Sequence, residues 1–187
     1  MNVVENQKVL VADDDAINRE VLGELLKPEY TVLLARNGDQ TLERAARHLP
    51  DLILLDVMLP GLDGLETCRR LKANAATADI PVIFVSACSD TDDIVAGFEQ
   101  GAADYIAKPL RLPEVIARVR AQLNFRSANQ SSTQQARRLR MIVEGMDEGL
   151  MLLGQDGRIQ YANPASERFL GYSEAEPVSY THLTLPT

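Results

Sequence analysis

The sequence lacks an excess of basic residues and a long uninterrupted apolar segment. Its 187 residues include 19 Lys and Arg against 27 Asp and Glu, which gives a formal net charge of −8. A nucleic-acid-binding surface normally needs a basic face or stripe, so this composition argues against nucleic-acid binding by this portion of the chain. The longest apolar runs, such as DLILLDVMLPGL, are broken by charge or proline well short of the roughly 20 residues of a membrane helix.

The sequence also lacks the pattern of a targeting segment and contains only two cysteines. The N-terminus, MNVVENQKVL, has no basic segment followed by an apolar one, so we expect a cytoplasmic protein without a membrane anchor. The two cysteines, Cys68 and Cys88, belong to no CxxC pair and have no nearby histidine pattern. We therefore expect buried or half-buried thiols rather than metal ligands or a disulfide.

Five short apolar runs alternate with segments of helical periodicity between Lys8 and about Leu123. The runs are KVLVA, TVLLA, DLILL, PVIFV and DYIAK. Continuous apolar strands that alternate with helices are typical of a parallel sheet covered by helices on both faces. The sequence therefore predicts an α/β fold of (βα)5 type, with a doubly wound five-stranded parallel sheet.

Polar side chains stand where four of the five predicted strands end. Ligands of such sheets bind beyond the carboxyl ends of the strands, so we expect these side chains to share one site. Asp15 is expected to cap the first helix, whereas Asp56 follows LILL and precedes a loop, so its carboxylate should be partly buried. The complete set is Asp13, Asp14 and Asp15 after the first strand, Asp56 after the third, Ser86 after the fourth and Lys108 after the fifth.

The types of residue in this set favour phosphoryl chemistry. Three converging carboxylates repel one another unless a cation offsets their charge, and an oxygen-rich site of this kind suits Mg²⁺. Lys108 supplies a fixed positive charge and Ser86 a hydroxyl, and both groups suit phosphoryl oxygens. The pattern predicts covalent catalysis by an Asp carboxylate that forms an acyl phosphate.

The motifs VLVADDD, LILLDVMLPGLDG, VIFVSA and DYIAKPL resemble the receiver domain of two-component response regulators, over roughly residues 7 to 124. The resemblance implies a flavodoxin-like sheet of strand order 2-1-3-4-5 in a receiver domain at residues 1–124. It implies that Asp56 is the phosphoacceptor and that Asp13, Asp14, Asp56 and the backbone carbonyl of Met58 bind Mg²⁺.

The same resemblance assigns a switch and partners. Ser86 is the expected switch hydroxyl, with Ala87 beside it in the phosphate-binding segment, Tyr105 as the rotating aromatic side chain and Lys108 as the phosphate-contacting lysine. The expected partner is a histidine kinase or a phosphotransfer protein. A homodimer is expected through the face of the fourth helix, fifth strand and fifth helix, or through the following linker helix.

Residues 125–146 are interpreted as a linker and signalling helix. The stretch NFRSANQSSTQQARR is polar and reads as an exposed linker or as an extension of the last receiver helix. Ala136, Leu139, Val143 and Met146 then recur at 3-4-3 spacing. This spacing fits a short dimerising helix, and it equally fits a single amphipathic helix that packs on the next domain.

Residues 147–176 are predicted to form a β-hairpin followed by a helix. The hairpin turn is placed at Asp156 and Gly157, and Asn163 and Pro164 open the helix. The stretch GRIQYANPASERFLGY resembles the start of a PAS sensor domain, of which about the first third is present. An isolated hairpin is marginally stable, so this fragment is expected to be incomplete.

The last segment, residues 177–187, is interpreted as a non-native tail. Back-translation of VSYTHLTLPT resembles a sequencing-library adapter read in one frame, and a natural strand-like tail is the alternative. His182 lies in this tail and is therefore not expected to be a functional ligand. The expected natural protein is a longer signalling protein with an output module after the PAS segment.

Two other functional classes remain as alternatives. An Mg²⁺-dependent phosphohydrolase with an Asp nucleophile resembles the haloacid-dehalogenase-like enzymes, which need a second Asp where Met58 stands. A flavin-binding flavodoxin-like module needs a Ser/Thr/Gly-rich loop after the first strand, where DDDAIN would repel the flavin phosphate. For the receiver interpretation, the expected chemistry is limited to self-phosphorylation and autodephosphorylation.

Overall fold

The computed structural model describes residues 7–87, 97, 99–154, 156 and 159–170. The chain divides between Ser127 and Ala128 into two compact units, which are described separately. Most of the fourth predicted crossover helix and the whole of the expected non-native tail lie outside the described residues. Within the part that the structure describes, no helix has the length and apolar character needed to cross a membrane.

The first unit contains a five-stranded parallel sheet of order β2-β1-β3-β4-β5. This order confirms the predicted doubly wound, flavodoxin-like α/β fold. The strands are β1 Lys8–Ala12, β2 Thr31–Ala35, β3 Leu52–Asp56, β4 Val82–Ser86 and β5 Asp104–Ala107. The helices described around them are α1 Ala16–Leu26, α2 Gly38–His48, α3 Gly64–Ala73 and the long α4 Leu112–Glu144.

The core lies on both faces of this sheet. Successive side chains of a strand point to opposite faces, so Val9 and Val11 pack in one apolar cluster and Leu10 and Ala12 in the other. Every residue of the central strands β3 and β4 is buried. Burial on two faces explains why these strands are apolar throughout rather than alternating.

The third and fourth strands each begin one residue later than their apolar runs. The Asp51 carboxylate accepts a hydrogen bond from the backbone N–H of Lys8 at 2.9 Å instead of joining β3. Pro81 has no N–H to donate, although its carbonyl accepts from Ile53 at 3.0 Å. At its other end β3 extends to Asp56, which is buried like the rest of the strand.

Helix starts at this end of the sheet are set by short polar side chains. The side chain of Asp15 accepts a hydrogen bond from Ile17 N, which confirms Asp15 as the N-cap of α1. Asn37 and Asp63 cap α2 and α3 in the same way. Gly64, directly after Asp63, approaches the chain so closely that a Cβ atom there would lie 2.1 Å from the backbone oxygen of Asp56.

The second unit contains the end of α4, a two-stranded antiparallel sheet and a short helix. The strands are β6 Met151–Leu153 and β7 Ile159–Ala162, and the helix is α5 Pro164–Leu170. This arrangement agrees with the predicted hairpin followed by a helix. The stretch NFRSANQSSTQQARR lies entirely within α4, so its polar residues continue the last receiver helix.

One fully buried side chain joins the parts of this second unit. The Oδ1 atom of Asn163 accepts hydrogen bonds from Leu150 N at 2.9 Å and from the backbone and hydroxyl of Ser166. Its Nδ2 atom donates to Val143 O at 3.0 Å and to Glu148 O at 2.9 Å. The amide of Asn163 therefore connects the last turn of α4 with the hairpin and with the start of α5.

Candidate functional site

The polar residues at the carboxyl edge of the first unit's sheet form one cluster around Lys108. The Nζ atom of Lys108 lies 2.6 Å from Oδ2 of Asp56 and 3.1 Å from Oδ2 of Asp13. Asp13 and Asp56 are 1% and 2% exposed. The carboxyl ends of β1, β3 and β5 thus bring together three of the residues that the sequence assigns to the site.

Backbone N–H groups hold the other oxygen of each buried carboxylate. Asp13 Oδ1 accepts from the N–H of Asp15 at 2.8 Å, and Asp56 Oδ1 accepts from the N–H of Met58 at 3.0 Å. Each carboxylate is therefore oriented from both sides, by a turn of its own loop and by Lys108. Buried polar groups of this kind are costly unless they are paired, so the orientation is strongly specified.

Asp14 completes a cluster of three acids that has the composition of a metal site. One carboxylate oxygen from each of Asp13, Asp14 and Asp56 lies within 4.8 Å of the others, and Asp14 is exposed. A compact set of carboxylate oxygens open to water on one side fits Mg²⁺, which retains several water ligands. Met58 contributes its N–H to Asp56, and the role of its carbonyl as a metal ligand stays a prediction.

Burial and ion pairing have opposite effects on the pKa of each partner of the Asp56–Lys108 ion pair. Burial raises the pKa of Asp56 above its usual value, although hydrogen bonds from Lys108 and Met58 act to lower it. Burial by itself lowers the pKa of Lys108, but its hydrogen bonds to Asp56 and Asp13 outweigh burial and raise it. Lys108 is therefore a permanent cation at the site.

Ser86 and Tyr105 lie beside this cluster on the neighbouring strands β4 and β5. The Tyr105 hydroxyl donates to the backbone carbonyl of Ser86 at 3.3 Å, and the N–H of Lys108 donates to the same carbonyl at 2.8 Å. Ser86 is buried, whereas Ala87, which follows it directly, is exposed. Ser86, Tyr105 and Met58 line a cleft of about 220 Å³ next to the acid cluster.

Arg19 contacts the site and was missed by sequence reasoning. Its Nη1 atom donates to the backbone carbonyl of Asp13 at 2.8 Å and to that of Asp14 at 3.2 Å. Helical side chains lean toward the N-terminus, so a long donor four residues after the N-cap Asp15 reaches back over the first turn. That spacing in DDDAINR is the signal that could have identified Arg19.

Comparison with protein-family models assigns both parts of the chain. Residues 9–120 match the response regulator receiver domain, and residues 137–186 match a PAS domain. The PAS match extends over most of the segment expected to be non-native, so the origin of that segment stays a prediction. The receiver match alone covers more than half of the 187 residues.

Two curated relatives are response regulators. The DNA-binding response regulator MtrA of Mycobacterium tuberculosis is 43% identical over 118 residues, which are 63% of this chain and 50% of MtrA. The response regulator PleD of Caulobacter vibrioides is 42% identical over 120 residues, which are 64% of this chain and 26% of PleD. The chain thus matches half or less of the length of these relatives.

Solved receiver domains have the same fold. The receiver domain of a signal transduction histidine kinase from Syntrophus aciditrophicus is 33% identical with a TM-score of 0.59, and the match covers 63% of this chain and 90% of that one. The receiver domain of the sensor histidine kinase PA1611 from Pseudomonas aeruginosa is 29% identical with a TM-score of 0.60, and the match covers 64% and 98% of the two chains. That structure has a magnesium ion coordinated in its active-site cleft. With its strand order, its family match and these relatives, the chain belongs to the response regulator receiver domain family.

Proposed function

We propose that this chain receives a phosphoryl group on Asp56 from a histidine kinase or a phosphotransfer protein. The observation that carries the proposal is the Lys108 ammonium group, which bridges the buried carboxylates of Asp56 and Asp13. A nucleophilic carboxylate needs nearby positive charge as phosphoryl oxygens arrive, and Lys108 supplies it without any rearrangement of distant parts of the chain.

The transfer step is a displacement at phosphorus. A carboxylate oxygen of Asp56 forms the new O–P bond while the P–N bond to the donor imidazole breaks. The imidazole nitrogen keeps the electron pair, and the ring leaves neutral because its other nitrogen already carries a proton. Phosphoryl transfer asks the protein mainly for positioning and charge neutralisation. The Met58 N–H, 3.0 Å from Asp56 Oδ1, fixes the orientation of the attacking group.

A magnesium ion, held by Asp13, Asp14, Asp56 and the Met58 carbonyl, would neutralise charge on the phosphoryl oxygens when bound. Asp13 and Asp56 are already oriented for this role by backbone N–H groups and by Lys108. The exposed Asp14 leaves the cluster open to water on one side.

The proposed switch consists of Ser86, Ala87 and Tyr105. A phosphoryl group on Asp56 adds charge and acceptor oxygens, which attract the Ser86 hydroxyl and the adjoining segment at Ala87. The Tyr105 hydroxyl bonds to the Ser86 carbonyl, so a movement of this segment is passed directly to Tyr105. A shift from about 1:99 to 99:1 between two states requires a preference of about 5.5 kcal/mol.

Two surfaces are proposed for a homodimer. One is the face formed by the predicted fourth helix, β5 and the receiver part of α4. The other is the distal part of α4, where Leu139 and Ile142 are exposed by 63% and 54%. Exposed apolar residues at helical spacing favour pairing with a second helix.

The test is phosphorylation by acetyl phosphate with Mg²⁺, followed by intact-mass measurement. We expect one phosphoryl adduct, no adduct in Asp56→Asn, and conversion of residue 56 to homoserine after borohydride reduction of the wild-type adduct. Asp63→Asn is the matched control, because Asp63 lines the same cleft and Asn keeps its capping role. An adduct that persists unchanged in Asp56→Asn would refute the proposal, as would repeated turnover of added phosphate esters without an adduct on Asp56.

A further inference from the structure

The guanidinium group of Arg19 donates hydrogen bonds to main-chain carbonyl oxygens rather than to a carboxylate. Its Nη1 atom donates to Asp13 O at 2.8 Å and to Asp14 O at 3.2 Å, and the side chain is half-buried in the first turn of α1. Hydrogen bonds from a charged donor are about twice as strong as neutral ones. Two such bonds to successive carbonyls fix the orientation of two successive peptide units.

Those two peptide units carry the acid pair of the proposed metal site. The other hydrogen bonds of the loop involve the residues on either side of Asp14. Asp13 N donates to Ala35 O at 3.2 Å, Asp15 N donates to Asp13 Oδ1 at 2.8 Å, and Asp15 caps α1 through Ile17 N at 2.7 Å. Between these residues lies Asp14, whose side chain is exposed. The bond from Arg19 to the Asp14 carbonyl therefore restrains the residue of the pair whose side chain is least enclosed.

Arg19 has two effects on cation binding, and they are opposite in sign. Its positive charge lies close to the acids and disfavours a second cation, so removal of the charge alone would tighten Mg²⁺ binding. Its hydrogen bonds preorganise the ligands, so removal of the bonds alone would weaken Mg²⁺ binding. The guanidinium charge is partly screened by water, whereas the geometric restraint acts at contact distance.

Building on the Mg²⁺ site of the proposed function, we propose that Arg19 is a positioning residue that sets the affinity of the Asp13–Asp14 pair for a divalent cation. It acts through the main chain of the β1–α1 loop. Partners outside the ligand shell typically change metal affinity by 10- to 100-fold when they are removed, and Arg19 touches the backbone of two ligands. The positioning effect therefore outweighs the repulsive one.

The experiment is a titration of the full chain with MgCl₂ alone, followed through backbone amide shifts by NMR at constant ionic strength. Arg19→Met keeps the aliphatic stem and removes the donors, and we expect its Kd for Mg²⁺ to rise by about tenfold. Arg19→Lys keeps a charged donor able to reach the same carbonyls, so its Kd should stay within about threefold of the wild type. Arg44→Met, in which a half-buried helical arginine of α2 loses its charge, is the matched control and should leave the Kd unchanged.

Each outcome supports or overturns the proposal. A Kd that falls in Arg19→Met would show that repulsion dominates, and a Kd that is unchanged would show no influence on the site; either result overturns the role of Arg19 and leaves the proposed function standing. Absence of any response to Mg²⁺ in the wild type would overturn the metal site and the role of Arg19 together. If Arg19→Met does not fold, as judged by circular dichroism, Arg19→Ala gives the same test, because alanine also lacks both the charge and the donors.

Discussion

Lys108 and Asp56, 52 residues apart in sequence, form a 2.6 Å ion pair at the carboxyl edge of the sheet. The Asp56 carboxylate is almost fully buried, whereas the Lys108 side chain retains partial contact with water. Lys108 also forms an ion pair with Asp13, so one ammonium group pairs with two carboxylates. Asp13 and Asp56 carry two negative charges against the one positive charge of Lys108, so these three side chains have a net charge of −1. The exposed Asp14 adds a further negative charge.

Asp56→Asn should stabilise the cation-free protein near neutral pH. The substitution removes a buried charge and its repulsion from Asp13, while Lys108 keeps Asp13 as a partner at 3.1 Å. Because burial raises the pKa of Asp56, the folded state binds the proton more tightly than the unfolded state, and the cost of the ionised carboxylate is present above the folded pKa. A gain of about 1 kcal/mol corresponds to about 4 °C in Tm.

The pH dependence of the stability difference between Asp56→Asn and the wild type tests the predicted stabilisation. The advantage of Asp56→Asn should be full above the raised pKa of Asp56 and should shrink as pH falls through that pKa toward the ordinary value of 3.8. Urea denaturation without divalent cations measures it, with Asp39→Asn, an exposed carboxylate in α2, as the control. A variant less stable than the wild type near neutral pH would contradict the balance of burial over ion pairing.

Gly64→Ala should destabilise the receiver unit severely. The new Cβ atom would lie 2.1 Å from the Asp56 carbonyl oxygen, and the backbone there cannot retreat without moving the site. Overpacking of this kind costs about 1–3 kcal/mol or more in the free energy of unfolding. Urea denaturation should show the loss, together with slower phosphorylation of Asp56.

Gly23→Ala is the matched control for this change. Gly23 lies within α1, and a Cβ atom there would meet only Leu34 Cδ2 at an ordinary contact distance of 3.5 Å. Alanine in a helix interior is more stable than glycine by about 0.5–1 kcal/mol, so Gly23→Ala should raise stability. Equal effects of the two substitutions would show that the close approach at Gly64 is unimportant.

Cys68 should resist alkylation in the folded protein. Burial raises the pKa of its thiol to about 11, and its Sγ atom donates to the Gln100 carbonyl at 3.5 Å. The thiolate is the reactive form, so near pH 8 the reactive fraction is about one in a thousand. Iodoacetamide labelling should be slow in buffer and fast in urea.

Peptide mapping makes that measurement specific. Trypsin cleavage after Arg69 and Lys72 places Cys68 and Cys88 in different peptides, so each thiol is followed separately. Labelling of Cys68 should accelerate as pH rises toward 11, because the thiolate fraction increases. Equal labelling rates of Cys68 in folded and urea-unfolded protein would refute its burial.

Asn163→Asp should loosen the second unit. An ionised carboxylate cannot donate to Val143 O and Glu148 O, so two hydrogen bonds become repulsive contacts at a site with 0% exposure. Each lost bond costs about 1 kcal/mol, and burial of the unpaired charge adds to this cost. Amide hydrogen exchange of β6 and β7 should become faster.

The control for this substitution lies on an exposed part of α4. Asn129→Asp introduces the same charge at an exposed helix position, and exchange of the hairpin should not change. Ser166→Ala, which removes one hydroxyl contact with Asn163, should have a smaller effect than Asn163→Asp. Hairpin exchange that is insensitive to Asn163→Asp would show that the Asn163 amide does not hold the hairpin.

Much of the receiver fold follows from sequence because its signals are local. Apolar runs such as KVLVA and TVLLA coincide with β1 and β2, and the capping pattern at Asp15 marks the start of α1. Asp51 and Pro81 shift the starts of β3 and β4 by one residue, since one makes a tertiary contact and the other lacks a donor. The contacts of Arg19 and of the Asn163 amide were not predicted, because most of their partners are backbone atoms of residues whose type does not matter to the bond.

By itself the sequence determined the order of strands and helices in the described parts and the edge of the sheet where Asp13, Asp56, Ser86 and Lys108 converge. Only the tertiary structure decided that the Lys108 ammonium group forms ion pairs with both Asp13 and Asp56, and that the Tyr105 hydroxyl donates to the Ser86 carbonyl. The physical reason is range: periodicity and capping act within a few residues, whereas burial and charge depend on groups that only the folded sheet brings together.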